Sequence, residues 1–327
     1  MYWIESSHTD PTWNLAMEEY LFSWLPGGTA CLFLWQNDRS VIVGKNQNTI
    51  QEVNSAFVHS HQIPVVRRLS GGGAVWHDLG NLNFTIICDG PETGEIDLKR
   101  FCEPIVQVLL QNGVPAEING RNDITAEGKK VSGNAQYLRN GRLLHHGTLL
   151  LRSDLAMLEQ ALRVNREKIR SKGIVSVSDR VENLCRWLPP ELTLTQLKEQ
   201  LRSQFGAAEQ LLLPETASEE IRQLQKEKYA AWEWNYGASP SGTIQNSCYF
   251  PDCGSIEMQC RMEHGCIREI RFYGDYFSAA DPAALEKQLL GCPFRRDTLA
   301  SKLKEIETGH FFEGITLEQL LGLIIPE

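Results

Sequence analysis

Arg67-Arg68-Leu69-Ser70-Gly71-Gly72-Gly73-Ala74-Val75-Trp76-His77-Asp78 stands between two apolar runs, Ile63-Pro64-Val65-Val66 and Leu82 to Ile87. Short apolar runs bounded by turn residues read as buried strands rather than helices. Three successive glycines take every Cβ out of the turn between them, so a ligand can come close to the backbone. The N–H groups of such a turn suit a phosphate or carboxylate, and Arg68 adds a permanent, forked positive charge. Strand, glycine-rich turn and strand around charge is the layout of an anion site. The P-loop pattern Gly-x-x-x-x-Gly-Lys-Ser/Thr is absent here, and so is a Gly-x-Gly-x-x-Gly opening a helix. A nucleotide bound at this turn would use another fold.

The whole chain bounds that reading. Its 327 residues suit one large domain with a smaller one. A hydrophobic share of 42% and a charged share of 22% describe an ordinary globular protein. The net charge of −9 argues against a broad nucleic-acid face while leaving room for a local basic pocket. No apolar run approaches the roughly 18–20 residues that span a bilayer. The first residues lack the basic region of a signal peptide, so a cytoplasmic, non-membrane protein is expected. Nine cysteines is an odd number in a chain too large to need disulfide staples. Cys248, Cys253, Cys260, Cys266 and Cys292 are not spaced as close zinc pairs, so reduced thiols are expected.

Working outward, Asp10-Pro11 caps a helix expected over Pro11–Trp24. Cys31–Trp35 and Ser40–Val43 read as strands, and Asp97–Asn112 as a helix stopped by Gly113. Asn140-Gly141 is a primed-turn signal that pairs Val131–Leu138 with Leu143–Leu151, with Glu127-Gly128 as a second tight turn. That hairpin sets Lys130 near one end and His145-His146-Gly147-Thr148 on the returning strand. The stretch Asn165 to Asn183 is the most basic part of the chain, and loops of that length are more often functional than idle. Helices are expected near Thr195–Phe205 and Ser218–Trp234, then a linker at Pro240-Ser241-Gly242. Beyond it, Ile256–Met262 and Cys266–Phe272 form a hairpin, followed by helices at Pro282–Leu290, Asp297–Ile306 and Leu317–Leu323.

Lys130 is the sharpest candidate for chemistry. Beside the small residues Ser132, Gly133 and Ala135, its ammonium can hold a carboxylate and a phosphate together and stabilise charge moving between them. Strand alternation sends the side chains of Lys129 and Lys130 to opposite faces, so only one of them points inward. Asp123, with Asn122, offers oxygen ligands for a magnesium ion carried on nucleotide phosphates, or else an Asx turn. His77, His145 and His146 lack a third ligand at metal spacing and read as structural or substrate-positioning. Ser70 and Ser132, each beside glycine, read as hydrogen-bond donors, since no nucleophile elbow surrounds them.

Together these motifs resemble the lipoate–protein ligase A family: Arg67-Arg68-x-Ser70-Gly71-Gly72-Gly73-Ala74-Val75-x-His77-Asp78-x-Gly80-Asn81, Gly120-Arg121-Asn122-Asp123, Lys129-Lys130-Val131-Ser132-Gly133-x-Ala135, and His145-His146-Gly147-Thr148-Leu149-Leu150. So do Ser171-Lys172-Gly173-Ile174 and Arg180-Val181-x-Asn183-Leu184. The resemblance runs over nearly the whole chain and implies a biotin/lipoate ligase-like α+β fold. A large catalytic domain over residues 1–240, with mixed and mostly antiparallel sheets flanked by helices, would precede a small α+β domain over 246–327. It implies a two-step ligase: lipoate and Mg-ATP give lipoyl-AMP and pyrophosphate, and the lipoyl group passes to a lysine. The acceptors implied are lipoyl domains of 2-oxoacid dehydrogenase E2 subunits and the glycine-cleavage H protein, served by a monomer. Carried over, Arg68 and Gly73-Ala74-Val75-Trp76 would hold ATP and the adenylate, with Lys130 between adenylate and lipoate. Gly72, His146 and Gly147 would line the lipoate site, with Ser70, Gly71, His77, Asn122, Asp123, Lys172, Gly173 and Arg180 as secondary candidates. Leu69 and Asn134 stand where the family commonly has serine, and Trp76 replaces a smaller aromatic, which could change how adenine stacks. An octanoyl- or lipoyltransferase would need an activated thiol near the lysine, and no cysteine lies between Cys102 and Cys185. A biotin ligase would need a Gly-Arg-Gly-Arg type loop, which is missing, and a non-catalytic lipoate-binding module has no need of an intact Lys130.

Overall fold

The computed structural model describes residues 1–91, 97–119, 123–162, 180–239, 242–251, 253–274, 281–306, 308, 311–312 and 314–326. The chain divides into two compact units, Met1–Lys45 with Pro64–Ala231, and Asn46–Ile63 with Trp232–Glu327. Among the described residues the strands are β1 (Tyr2–Glu5), β2 (Cys31–Trp35), β3 (Ser40–Val43), β4 (Val65–Arg67), β5 (Val75–His77), β6 (Asn81–Asp89), β7 (Ala116–Asn119), β8 (Asp123–Ala126), β9 (Lys129–Arg139), β10 (Arg142–Leu150), β11 (Glu209–Gln210), β12 (Gly242–Phe250), β13 (Gly254–Glu263) and β14 (Cys266–Gly274).

The first unit carries an eight-stranded sheet in the order β11-β1-β2-β6-β10-β9-β8-β7 and a small sheet β4-β3-β5. Strand β1 pairs in parallel with β2 and β11, and β3 with β4, while the other pairings between these strands are antiparallel. The expected mixed, mostly antiparallel architecture is therefore present. Alternation gives the large sheet two working faces. On one, Leu32, Leu34, Phe84 and Ile86 share a core with Phe101 and Ile105 of the helix Lys99–Gln111 and Leu197 of the helix Leu194–Gln204. The helix Pro11–Trp24 serves the other face; Asp10 caps it by accepting from the Thr12 N–H, with Pro11 in its first turn. Tight turns at Glu127-Gly128 and Asn140-Gly141 have positive φ at both residues, the primed geometry that matches strand twist.

In the second unit, β12, β13 and β14 form an antiparallel sheet. Ile256, Met258 and Cys260 share a core with Leu285, Leu299, Leu320 and Ile50. Ile50 comes from the segment between β3 and β4, and that segment is also tied by Thr49 Oγ1 donating to the Asn235 carbonyl (2.6 Å) and Gln51 Nε2 to that of Thr243 (2.9 Å). Spatially, residues 46–63 thus group with the C-terminal residues, although they precede the Gly-rich motif in sequence.

Two elements illustrate where the structure departs from expectation. The helix expected over Ser218–Trp234 ends as Ala217–Leu224 and gives way to a wider turn over Gln225–Tyr229. That turn lets two adjacent residues reach one carboxylate: Lys228 Nζ (2.6 Å) and Tyr229 Oη (2.7 Å) both donate to Glu19 Oε2. Strand β12 had no apolar signature, because only Ile244 and Phe250 on it are buried. All nine cysteines are free thiols. Among the described residues no helix is long and apolar enough to cross a membrane.

Candidate active site

One cleft of about 620 Å³ opens within the first unit, and it draws on six strands and a helix. Strand β9 supplies Lys130, Gly133, Asn134 and Ala135, and β10 supplies His146, Gly147 and Thr148. Asn83 of β6, Trp35 of β2, Ile42 of β3, Val75 and His77 of β5 and Leu15 of the Pro11–Trp24 helix complete the walls, with Arg68 and Gly72 to Ala74. Register explains the convergence. Trp35 pairs with Asn83 and Asn83 with Thr148, while Thr85 pairs with His146 and His146 with Ala135. Paired residues share a face, so these two rows lie side by side on one surface of the sheet. The result is polar and cationic at Lys130 and Arg68, and apolar at Leu15, Trp35 and Ile42.

Lys130 owes its place to a β-bulge. Counting back by two from Ala135 and Gly133 puts Val131 on the cleft face. The β8–β9 register instead jumps from Ile124↔Ser132 to Thr125↔Lys130. Val131 becomes the extra residue, fully buried in the helix-side core, and parity reverses so that Lys130 faces the cleft. Its Nζ lies 2.7 Å from Asp123 Oδ1, with both side chains about one-third exposed. An added Cβ at Gly133 would lie 2.8 Å from the lysine's Cε and Nζ, so a side chain there would displace the end of the lysine.

Arg68 is 6% exposed, and four of its hydrogen bonds stay within the protein. Nη2 donates to the Gly71 (2.6 Å) and Gly73 (2.9 Å) carbonyls, Nη1 to that of Ile42 (3.1 Å), and Nε to Ser70 Oγ (3.1 Å). The residue shapes the turn as much as it charges it. Gly72 adopts φ 94°, and a Cβ there would lie 2.9 Å from Arg68 Nη2. Burial lowers the Arg68 pKa to about 10, so the guanidinium stays charged at neutral pH. Arg67 is fully buried and donates to the Gly44 and Lys45 carbonyls (both 2.9 Å).

Behind the turn runs a buried relay that the sequence did not disclose. Ser70 Oγ is 2.6 Å from His146 Nε2, His146 Nδ1 is 2.9 Å from Glu18 Oε1, and Thr85 Oγ1 donates to the same oxygen (2.6 Å). With Nδ1–H donating to the carboxylate, Nε2 accepts from Ser70, whose oxygen then accepts from Arg68. A serine, histidine and carboxylate in this order resemble a hydrolase triad. Ser70, however, is 1% exposed and held by Arg68, so its oxygen is not presented to a substrate. The relay fixes orientation. Glu18 is fully buried within a helix whose apolar neighbours mask it in the sequence.

His77 accepts at Nδ1 from Asn37 Nδ2 (3.1 Å). Burial, then the Arg68 charge, lowers its pKa to about 3, so it is neutral and carries its proton on Nε2. That Nε2 and the Asn83 amide nitrogen lack protein partners among the described residues, and both residues line the cleft. They are donors available to a ligand. Trp76 is 1% exposed with its indole N–H given to Asp78 Oδ2 (2.9 Å), so its ring is turned away from the cleft and offers no stacking face. Arg180 is exposed, and Lys172, Gly173 and Asn122 lie outside the described residues. No cysteine is among the described residues that line the cleft. Among the described residues, no group of three or more His, Cys, Asp or Glu could hold a metal ion.

Comparison with known proteins gives this geometry a context. Residues 10–206 match the family described as lipoyl protein ligase A/B catalytic domain, and residues 239–324 match the bacterial lipoate protein ligase C-terminus. The chain is 41% identical over 321 residues to the lipoate-protein ligase LplJ of Bacillus subtilis, covering 96% of this chain and 97% of that one. Among solved structures, a bipartite lipoate protein ligase from Thermoplasma acidophilum, studied with its E2 lipoyl domain, superposes with a TM-score of 0.64 at 28% identity, covering 74% of this chain and 98% of that chain. A T. acidophilum structure with bound lipoic acid gives 0.59 at 27% identity, and a lipoate-protein ligase A bound with ATP gives 0.59 at 26%; each covers 72% of this chain and 98% of its own.

Proposed function

The chain belongs to the lipoate–protein ligase family, and from that membership we propose how its cleft activates free lipoate with ATP and passes the lipoyl group to a protein lysine. The observation that carries the reading is Lys130 Nζ on the cleft wall, beside Asp123 and on the same cleft as Gly72 to Ala74 of the glycine-rich turn. Lipoate is an apolar chain ending in a carboxylate. Leu15, Trp35 and Ile42 suit the chain, and Lys130 with the neutral donors of His77 and Asn83 suits the charged end.

In the first step a carboxylate oxygen of lipoate attacks the α-phosphorus of ATP. The new C(O)–O–P bond forms as the bond to the β-phosphate oxygen breaks, and pyrophosphate leaves with that electron pair. Lys130 bridges the two negative groups, and this stabilisation grows as charge concentrates between them. Arg68 sets the shape of the turn that takes the phosphates and adds positive charge beside it. A magnesium ion on nucleotide phosphates needs only one or two protein carboxylates, and Asp123 meets that need; the ion would offset phosphate charge. In the second step a neutral lysine amine of the acceptor attacks the acyl carbon; the C–N bond forms as the C(O)–O bond to the phosphate breaks, AMP leaves with that electron pair, and the amine's proton passes to solvent. Lipoyl domains are the acceptor class, and the glycine-cleavage H protein is a further acceptor within this reading.

Thioester transfer is not favoured, because no described cleft residue is a cysteine and burial raises the Cys102 pKa to about 12. Pyrophosphate release with ATP, Mg²⁺ and lipoate tests the reading. Release by the wild type that falls by about 100-fold or more in Lys130→Ala is expected, with labelled lipoate then appearing on an apo-lipoyl domain. A folded wild type that releases no pyrophosphate yet moves an acyl group from a carrier would replace the ligase with a transferase.

A further inference from the structure

The segment Arg180-Val181-Glu182-Asn183 has no part in the chemistry above, yet it touches Lys130. Strand β10 stops pairing with β9 at Gly147↔Asn134, which leaves the backbone of Lys130 without that neighbour. Residues 180–182 take its place. The Lys130 N–H donates to the Arg180 carbonyl (2.7 Å), and the Glu182 N–H donates to the Lys130 carbonyl (3.0 Å), around a parallel bridge to Val181. This contact falls at the bulge that decides which way Lys130 points.

Three residues of contact cannot hold themselves in place, since fixing each backbone unit costs about 1–2 kcal/mol. The Cys185 N–H donates to the Leu151 carbonyl (3.1 Å), and Asn183 adds the anchor nearer the lysine. Its Oδ1 accepts from the Ser153 N–H (2.9 Å) and its Nδ2 donates to the Ser153 carbonyl (2.9 Å), a reciprocal pair in which the side-chain amide stands in for a strand. The next residue, Leu184, is fully buried in the helix-side core. Ser153 is itself anchored: the Asp154 N–H donates to Asp78 Oδ2 (2.7 Å), the oxygen that also accepts the Trp76 indole. A path of hydrogen bonds and chain therefore runs from the Gly-rich motif through Asp78, Asp154, Ser153 and Asn183 to the backbone of Lys130.

Building on the ligase reading, we propose that Asn183 is a positioning residue for Lys130: its amide clamps Ser153 so that residues 180–182 hold the lysine's backbone at the bulge. The clamp spans the two parts of the site that contact substrate, the glycine-rich turn and the lysine. An aspartate at 183 would keep the acceptor for the Ser153 N–H and lose the donor to its carbonyl, so it tests the pair at nearly constant shape.

A double-mutant cycle on the full-length protein decides the matter. Binding of lipoyl-sulfamoyl-adenosine, which cannot be hydrolysed, is measured by calorimetry for wild type, Asn183→Ala, Lys130→Ala and the double variant. Pyrophosphate exchange is followed in parallel. Asn183→Ala is expected to weaken binding by about 10-fold and to lower kcat similarly, with KM for ATP within about 2-fold. In the Lys130→Ala background the same change should move affinity by less than about 2-fold, and Asn183→Asp should fall between wild type and Asn183→Ala. Equal losses in both backgrounds, or no loss in either, would overturn the proposal, because Asn183 would then act independently of the lysine. If Asn183→Ala does not fold, Asn183→Asp is carried through the same cycle with the same two readings. A folded wild type that neither exchanges pyrophosphate nor binds the probe would defeat the ligase reading instead.

Discussion

A methyl group at position 133 would compete with Lys130 for the same volume, since both Cε and Nζ lie 2.8 Å from the added atom. The far end of a lysine can swing, so Gly133→Ala should leave the fold intact and displace the ammonium. Turnover in pyrophosphate exchange should fall by about 10-fold or more, because small misplacements of a charge-stabilising group are costly. Unchanged kcat would mean that Lys130 does its work from another rotamer. A second effect at this scale concerns His145, stacked on Phe101 and held neutral by burial, with its pKa lowered to about 3. Unfolded, it would titrate near 6.5, so between those values the unfolded chain binds the extra proton and acidification favours unfolding. The stability curve should therefore slope upward with pH below about 6.5, by up to about 1.4 kcal/mol per pH unit for this group. Replacing His145 with Asn should reduce the slope of urea-derived stability between pH 5 and 6; an unaltered slope would count against the assignment. Arg68, Ser70, His77, Lys130 and His146 were legible as candidates because small and charged residues cluster around them in sequence. Glu18 was not, because its partners Thr85 and His146 meet it only through the folded sheet and the helix above it, and Asn83 was not, because it sits in a mostly apolar strand run.

The tight turns were readable in advance because their chemistry is local. Asn140-Gly141 takes φ 51° and 73°, the left-handed pair that a two-residue hairpin requires. Gly141→Val should accordingly cost about 1–2 kcal/mol, seen as a lower urea midpoint with an unchanged slope. An unshifted midpoint would mean that the loop relaxes to another turn at no cost. The bulge in β9 is different. Lys129-Lys130-Val131-Ser132-Gly133 contains no residue that announces an inserted position, and plain alternation from Ala135 assigns Val131 to the cleft. What decides is non-local: Val131 gains full burial against the helix-side core, and Lys130 gains Asp123 and the backbone of residues 180–182. Strand β12 escaped for a related reason, since its pairing with β13 supplies what its own sparse apolar residues do not.

For the whole molecule, the grouping of Asn46–Ile63 with the C-terminal residues sets the terms on which the chain can be shortened. A truncation at 239 looks harmless in sequence: it follows the catalytic match, which ends at residue 206, and keeps every residue that lines the cleft. It would nevertheless strip the core around Ile50, which is 6% exposed among Ile256, Met258 and Leu285, and remove the Thr243 carbonyl that Gln51 bonds. Exposing that one side chain costs about 1.5–3 kcal/mol, and it lies in the connection between β3, which brings Ile42 to the cleft, and β4, which leads to Arg67 and Arg68. The chain ending at 239 should melt at a lower temperature than the full chain and release pyrophosphate more slowly, despite its complete set of cleft residues. The Ile50→Ser variant of the full chain should move the melting temperature in the same direction by a smaller amount, which separates loss of this cover from loss of the remaining C-terminal residues. Equal melting temperatures for full and truncated chains would show that residues 46–63 need no C-terminal cover.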